Sequence, residues 1–206
     1  MPLPVGHSLS GYLIYLGAER KISLRGWKII LLYLLCANLP DLDILPGYLL
    51  GRPNLYHHGI SHSIGLAVVV GLLAAGAVYW TKRQSAGRVF LIAFGLYFGH
   101  VLLDTLIVDT TPPYGVQLLW PLSRNYYISP VLIFPTVYKA DTSGAFWGSL
   151  IHPGNLRLIG VELLYFVPPI LLVRRILGRP RMSRNRPDPS LEQKVRKLFE
   201  RNQGAP

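Results

Sequence analysis

Along the first 177 residues, long apolar runs alternate with short polar breaks. One set of breaks carries histidine and aspartate, the other lysine and arginine. Val5–Ala18 is apolar through Leu9, Leu13, Ile14 and Leu16, with His7, Ser10 and Gly11 roughly on one face, which predicts a short helix. Its charges, Glu19, Arg20 and Lys21, follow the apolar stretch instead of preceding it, so it reads as a retained helix and not a cleavable signal. Trp27–Leu39, flanked by Arg25 and Lys28, reaches only about 20 Å as a helix, short of the roughly 30 Å hydrocarbon core. It is expected to end near the interface, where Pro40-Asp41-Leu42-Asp43 breaks it. Ser63–Trp80 gives eighteen residues without a formal charge, capped by Ser61 or Ser63 and followed by Lys82, Arg83 and Arg88. This is the clearest transmembrane signal in the chain.

Val89–Val108 is the next predicted span, and within it His100 and Asp104 are four apart and so share a helix face. Asp109–Pro153 is less apolar, punctuated by Pro112, Pro113, Pro121, Pro130 and Pro135 and rich in aromatics such as Tyr114, Trp120, Tyr126 and Trp147. A segment of that length is too long for an idle loop and predicts an interfacial cap, with Asp109, Asp141 and His152 assigned to its surface or turns. Leu156–Leu177 is the last span, with Glu162 turned into the bundle and a kink expected at Pro168-Pro169. The expected fold is an all-α, polytopic integral membrane bundle of about four spans plus a short N-terminal helix, under an aromatic and Pro-rich cap. Residues 1–177 form the membrane domain and 178–206 a basic tail, in which Leu191–Phe199 reads as an amphipathic helix or a solvated stretch.

Composition sharpens this picture. Half of the 206 residues are hydrophobic and 15% charged, and the mean hydropathy is +0.33. That balance excludes an ordinary soluble domain. The net charge is +11, and from Arg174 onward ten Lys/Arg face three Asp/Glu, a net +7. Beside an apolar helix, such a tail reads as cytoplasmic and facing anionic membrane lipid; no specific nucleic-acid partner is predicted. The single cysteine, Cys36, allows no internal disulfide and reads as a small buried hydrophobe. Lys/Arg cluster before Trp27, between Trp80 and Val89 and after Leu172, which puts these turns on the cytoplasmic side. The opposite ends carry His7, Asp41, Asp43, the His57–His62 cluster, His100 and Asp104. Four segments thus deliver ligand-type side chains to one side of a prokaryotic plasma membrane, the extracytoplasmic one.

Imidazoles and carboxylates without thiols suit Zn²⁺, with Mn²⁺ or Fe²⁺ as alternatives. His7, Asp41, Asp43, His57, His62, His100 and Asp104 are the candidate ligands. They outnumber the needs of one tetrahedral ion and so suggest two or three. Such ions make hydroxide available near neutral pH, which points to hydrolysis with Asp43 or Asp104 orienting the nucleophile. His58 is expected to point away from His57 and either to support the ligands from behind or to contact substrate phosphate, and Trp120 is placed on the substrate as well.

His7, Pro40-Asp41-Leu42-Asp43, His57-His58-Gly59-Ile60-Ser61-His62-Ser63, His100 with Asp104, and Val116-Gln117-Leu118-Leu119-Trp120-Pro121 resemble the membrane-bound metal-dependent hydrolases of bacteria and archaea. The resemblance covers roughly residues 1–125, with His58 where that family usually has arginine and Ser61 where it has threonine. It implies metal ligands at His7, Asp41 or Asp43, His57, His62, His100 and Asp104. More distantly, the order of His and Asp is similar to the helical zinc-dependent phospholipases C and single-strand nucleases. The expected activity is hydrolysis of a phosphoester of a lipid-like substrate. The alternatives are a divalent-cation or proton-coupled transporter, or a protein whose polar residues merely brace its helices.

Overall fold

The computed structural model describes residues 2–18, 27–80, 85–110 and 113–177. The charges Glu19–Lys21, Arg25, Lys82 and Arg83, and the tail with its Leu191–Phe199 segment, lie outside the described residues. Seven α-helices appear among the described residues: α1 (Pro4–Ala18), α2 (Trp27–Ala37), α3 (Ile44–Leu49), α4 (Ile64–Tyr79), α5 (Ala86–Asp104), α6 (Ser143–Ser149) and α7 (Pro153–Leu177). A 3₁₀ turn, Pro40–Asp43, joins α2 to α3. The architecture is all-helical, as the apolar periodicity predicts. β-type bridging among these residues is confined to two isolated bridges, Ile107 with Phe134 and Val116 with Tyr127.

Of the four spans expected, α5 and α7 are each long and apolar enough to cross a membrane. α2 and the Pro40–Leu49 segment meet at a 53° bend and together make a broken span or re-entrant loop. Ser63–Trp80 is shorter as a helix than as an apolar run. α4 has 16 residues, about 24 Å, because Ser63 is extended and its hydroxyl accepts the Leu66 N–H at 3.2 Å, fixing the start one residue later. α5 ends at Asp104, short of Val108, since Thr105 and Leu106 turn back onto Leu102 and Leu103 and the chain leaves to pair Val108 with Phe134. α7 starts earlier than expected, at Pro153, and stays one helix through Pro168 and Pro169.

α1 lies against α2, α5 and α7, while α4 packs along α5. Tyr15, Leu16, Ile29, Tyr33, Leu96 and Ile170 form the core between these helices. Close approach depends on Gly11, where an added Cβ would stand 2.7 Å from the Ala37 Cβ and 3.2 Å from the Tyr33 carbonyl. Outward faces carry Leu32, Leu35, Leu73, Leu91, Leu164 and Leu172, all exposed, as a helix in lipid requires.

The segment after α5 is the expected cap. It is stitched to the rest by backbone bonds: Ile64 N–H to Leu118 O at 2.9 Å, Gly65 N–H to Trp120 O at 3.0 Å and Gln117 N–H to His58 O at 3.2 Å. Buried Asn155 at the start of α7 holds the cap's far end, accepting from Tyr138 N–H at 2.8 Å and donating to Tyr138 O at 2.9 Å. Gly115, at φ +87°, lets the Val116–Tyr127 bridge close, since a Cβ there would meet Tyr127 O.

Candidate metal centre

The fold brings His7 of α1, Asp41 and Asp43 of the 3₁₀ turn, the His57–His62 loop and His100 and Asp104 of α5 to one end of the bundle. Spacing of four on α5 sets His100 Nε2 3.3 Å from Asp104 Oδ2. The His7 ring stacks on His100 at a centroid distance of 3.6 Å, and its Nε2 lies 3.3 Å from Asp104 Oδ1. His100 Nδ1 is 2.8 Å from the Ala37 carbonyl at the end of α2. A carbonyl can only accept, so Nδ1 donates to it and Nε2 is the nitrogen turned toward the cluster. It faces Asp41 Oδ1 at 3.4 Å and His62 Nε2 at 3.3 Å.

His62 is the hub. Its Nε2 stands 3.0 Å from Asp104 Oδ2 and 3.6 Å from Asp41 Oδ1, while its Nδ1 faces Asp43 Oδ2 at 3.1 Å. Asp43 also accepts from His57 Nδ1 at 2.8 Å and from the Ser61 hydroxyl. Both Asp43 oxygens are therefore engaged behind the rings, where a carboxylate orients histidine ligands. Tyr97 OH donates to Ser61 O at 2.7 Å and anchors the loop on α5. Two overlapping sets of ligand atoms result, each within 4.8 Å of one another: Asp41, His62, His100 and Asp104, and His57, His58 and His62.

The second set contains a residue that was expected to turn away. His58 has φ 66°, in the left-handed region that side chains other than glycine seldom occupy. This reversal lets adjacent His57 and His58 face the same side, with ring centroids 4.1 Å apart. His58 Nε2 is 3.9 Å from Asp104 Oδ2, and its Nδ1 is 3.8 Å from Asp109 Oδ2.

Electrostatics match the donor set. Burial, reinforced by the Lys139 charge, holds His57 and His58 well below the usual imidazole range, so both are neutral and have lone pairs to give. At His62 burial pulls the same way but is outweighed by the facing carboxylates of Asp104, Asp41 and Asp43, which hold it well above that range. The negative charge gathered there is of the kind a divalent cation balances. Both nitrogens of His7, Nε2 of His58 and both oxygens of Asp41 and Asp104 are buried without an acceptable hydrogen bond. Buried polar atoms are nearly always hydrogen-bonded, so such a concentration fits a metal.

Every candidate ligand named from the sequence lies at this centre, with His7 and Asp43 at the edge of the two sets. Trp120 does not: its carbonyl and ring pack over Gly65 at the start of α4, and it borders neither cavity beside the histidines. Asp141 pairs with Asn54 and His152 stacks on Tyr138, both as surface residues. Asp109 departs from its surface assignment, accepting the Gly115 N–H at 3.0 Å and lining a cavity with His57 and His58. Glu162 turns into the bundle as expected, where its carboxylate accepts the Leu3 N–H and braces the start of α1. Lys139 was missed. It lines two cavities at the centre, where burial pushes its ammonium down against the pull of Asp41, Asp104, Asp109 and Asp43. Its one signal in the sequence is that it is the single Lys or Arg between Arg124 and Arg157.

A family model described as YdjM inner membrane protein matches residues 1–177. The chain belongs to the YdjM inner membrane protein family. The match runs from α1 to the last residue of α7 and so takes in every side chain of the centre. As a YdjM family member with apolar, lipid-compatible helices, the chain is an integral membrane protein. The family description names a membrane location and no reaction. No curated protein and no solved structure matches the chain.

Proposed function

We propose that this YdjM family member is a membrane-embedded metal-dependent hydrolase acting on a phosphoester of an amphiphilic substrate. One observation carries the reading: buried ligand-type atoms of Asp41, His100 and Asp104 gather within 3.6 Å of His62 Nε2, and both oxygens of each aspartate lack a well-formed hydrogen bond. Asp41, His62, His100 and Asp104 would hold the first ion and His57 and His58 a second, with zinc the best fit to nitrogen and carboxylate donors. Bound there, such an ion supplies a Lewis acid and lowers the pKa of water. Asp43 is a positioning residue, fixing the His57 and His62 rings through their Nδ1 atoms. Asp104 directs Oδ2 toward His62 and His100 and Oδ1 toward His7 Nε2, so Oδ1 would be the oxygen to take a proton from a water in the site.

Transport fits less well. A cation path needs polar groups at several depths, yet α4 carries no Asp, Glu, His, Lys or Arg, and α5 carries none between Arg88 and His100. Lys28, Arg88, Arg174 and Arg175 mark the helix ends away from the centre, which favours a site on the extracytoplasmic side.

Elemental analysis of the detergent-purified protein tests the proposal. The expected result is bound zinc that is lost from His62→Ala and from His100→Ala/Asp104→Ala. Asp43→Asn should keep the ions at saturation but weaken their affinity about 10–100-fold. Absence of metal after metal-replete purification, or metal with no turnover of lipid or soluble phosphoesters, would overturn it.

A further inference from the structure

Two cavities meet at the centre, and their linings differ in kind. One, of about 70 Å³, is bordered by Asn54, His57, His58, Asp109, Thr136 and Lys139. The other, of about 220 Å³, lies between α3 and α6, where Ser143 bonds to the Tyr48 carbonyl. Its walls include Leu42, Leu45, Tyr48, Phe146, Trp147 and Leu150, and Asp41 and Lys139 also line it. Leu42, Leu45 and Trp147 are 54%, 52% and 61% exposed, so the apolar cavity has an exposed apolar rim, the kind of surface a bilayer covers. Lys139 borders both spaces.

We propose that the substrate is a membrane lipid with an anionic phosphate headgroup, entering sideways from the bilayer with a hydrocarbon tail between α3 and α6 and its phosphate on Lys139. The occupant follows from the linings. A soluble phosphoester leaves the apolar walls unfilled, and an uncharged or zwitterionic lipid gives the ammonium no net charge to meet. A lipid phosphate satisfies both and brings its phosphorus beside Asp41 and His58, at the edge of the metal centre. Lys139 is the cationic side chain common to both linings, where the headgroup would meet it. What happens to that phosphate rests on the hydrolase reading, whereas its binding is measurable apart from turnover.

The test is quenching of Trp147 fluorescence in detergent micelles by lipids with brominated acyl chains. The signal of interest is the difference between the full chain and Trp147→Phe, which cancels the other tryptophans. At equal mole fraction, brominated phosphatidate should quench Trp147 several-fold more effectively than brominated phosphatidylcholine. Lys139→Met should abolish most of that preference and Lys139→Arg should retain it. Equal quenching by the two lipids in the unmodified protein, or a preference unchanged in a folded Lys139→Met variant, overturns the inference. The two readings fail separately. Turnover of a soluble phosphodiester without a lipid preference would defeat only this inference, and a lipid preference in a chain that binds no metal would defeat only the hydrolase reading.

Discussion

His58 shows how far one backbone angle determines what a sequence reveals. Adjacent residues in extended or helical backbone point apart, so the pair His57-His58 offers one ligand on ordinary geometry. At φ 66° the two rings come to 4.1 Å, and a second candidate ligand appears. A side chain in the left-handed region costs about 1–2 kcal/mol that glycine avoids. His58→Gly should therefore be more stable than His58→Ala by about 1 kcal/mol. Both variants lack the imidazole, so thermal unfolding in detergent with chelator isolates the backbone contribution; an alanine variant as stable as glycine would show that the angle is not strained. By contrast, His100 and Asp104 were legible from spacing alone, because a helix of that apolarity leaves their alignment no freedom. Lys139 was not, since nothing local marks a lone cation in an irregular cap as facing inward.

At the scale of elements, apolar runs located the helices but not their ends. Hydrophobicity continues through Ser63 and past Asp104, while capping and turn bonds stop α4 and α5 where the centre needs loop. The crossing of α1 and α2 sets the centre from the other side. Gly11 admits the Ala37 methyl, and the Ala37 carbonyl holds His100. Gly11→Val should lower stability by about 1–3 kcal/mol through overpacking. It should also weaken metal binding, since the displaced helices carry His7 and that carbonyl. Gly76→Val, with nothing within 4 Å of its Cβ position, is the control and should leave metal binding unchanged. Equal metal affinity in both variants would mean that the α1–α2 contact does not position the ligands.

For the whole molecule, the alternation of basic and ligand-bearing breaks is legible in the linear chain and agrees with where the centre lies along α1, α2 and α5. The bend of 53° after α2 is only partly legible there: the short apolar run and Pro40 indicate a break, not that the chain continues as one bent span. Sidedness is testable in intact cells on a Cys36→Ser background. An impermeant maleimide should label Tyr114→Cys on the cap from outside, and Arg175→Cys only after permeabilisation. The reverse pattern would place the centre toward the cytoplasm.

His62 belongs to both candidate sets, and Asp43 and Ser61 occupy its Nδ1 side, so Nε2 is the nitrogen left open to an ion. On the hydrolase reading, two ions at this centre would be rivals as well as neighbours. The first to arrive would take Nε2, and the next would settle for a poorer shell beside an existing positive charge. Occupancy would then be stepwise and anticooperative, with metal supply setting whether the protein carries one ion or two.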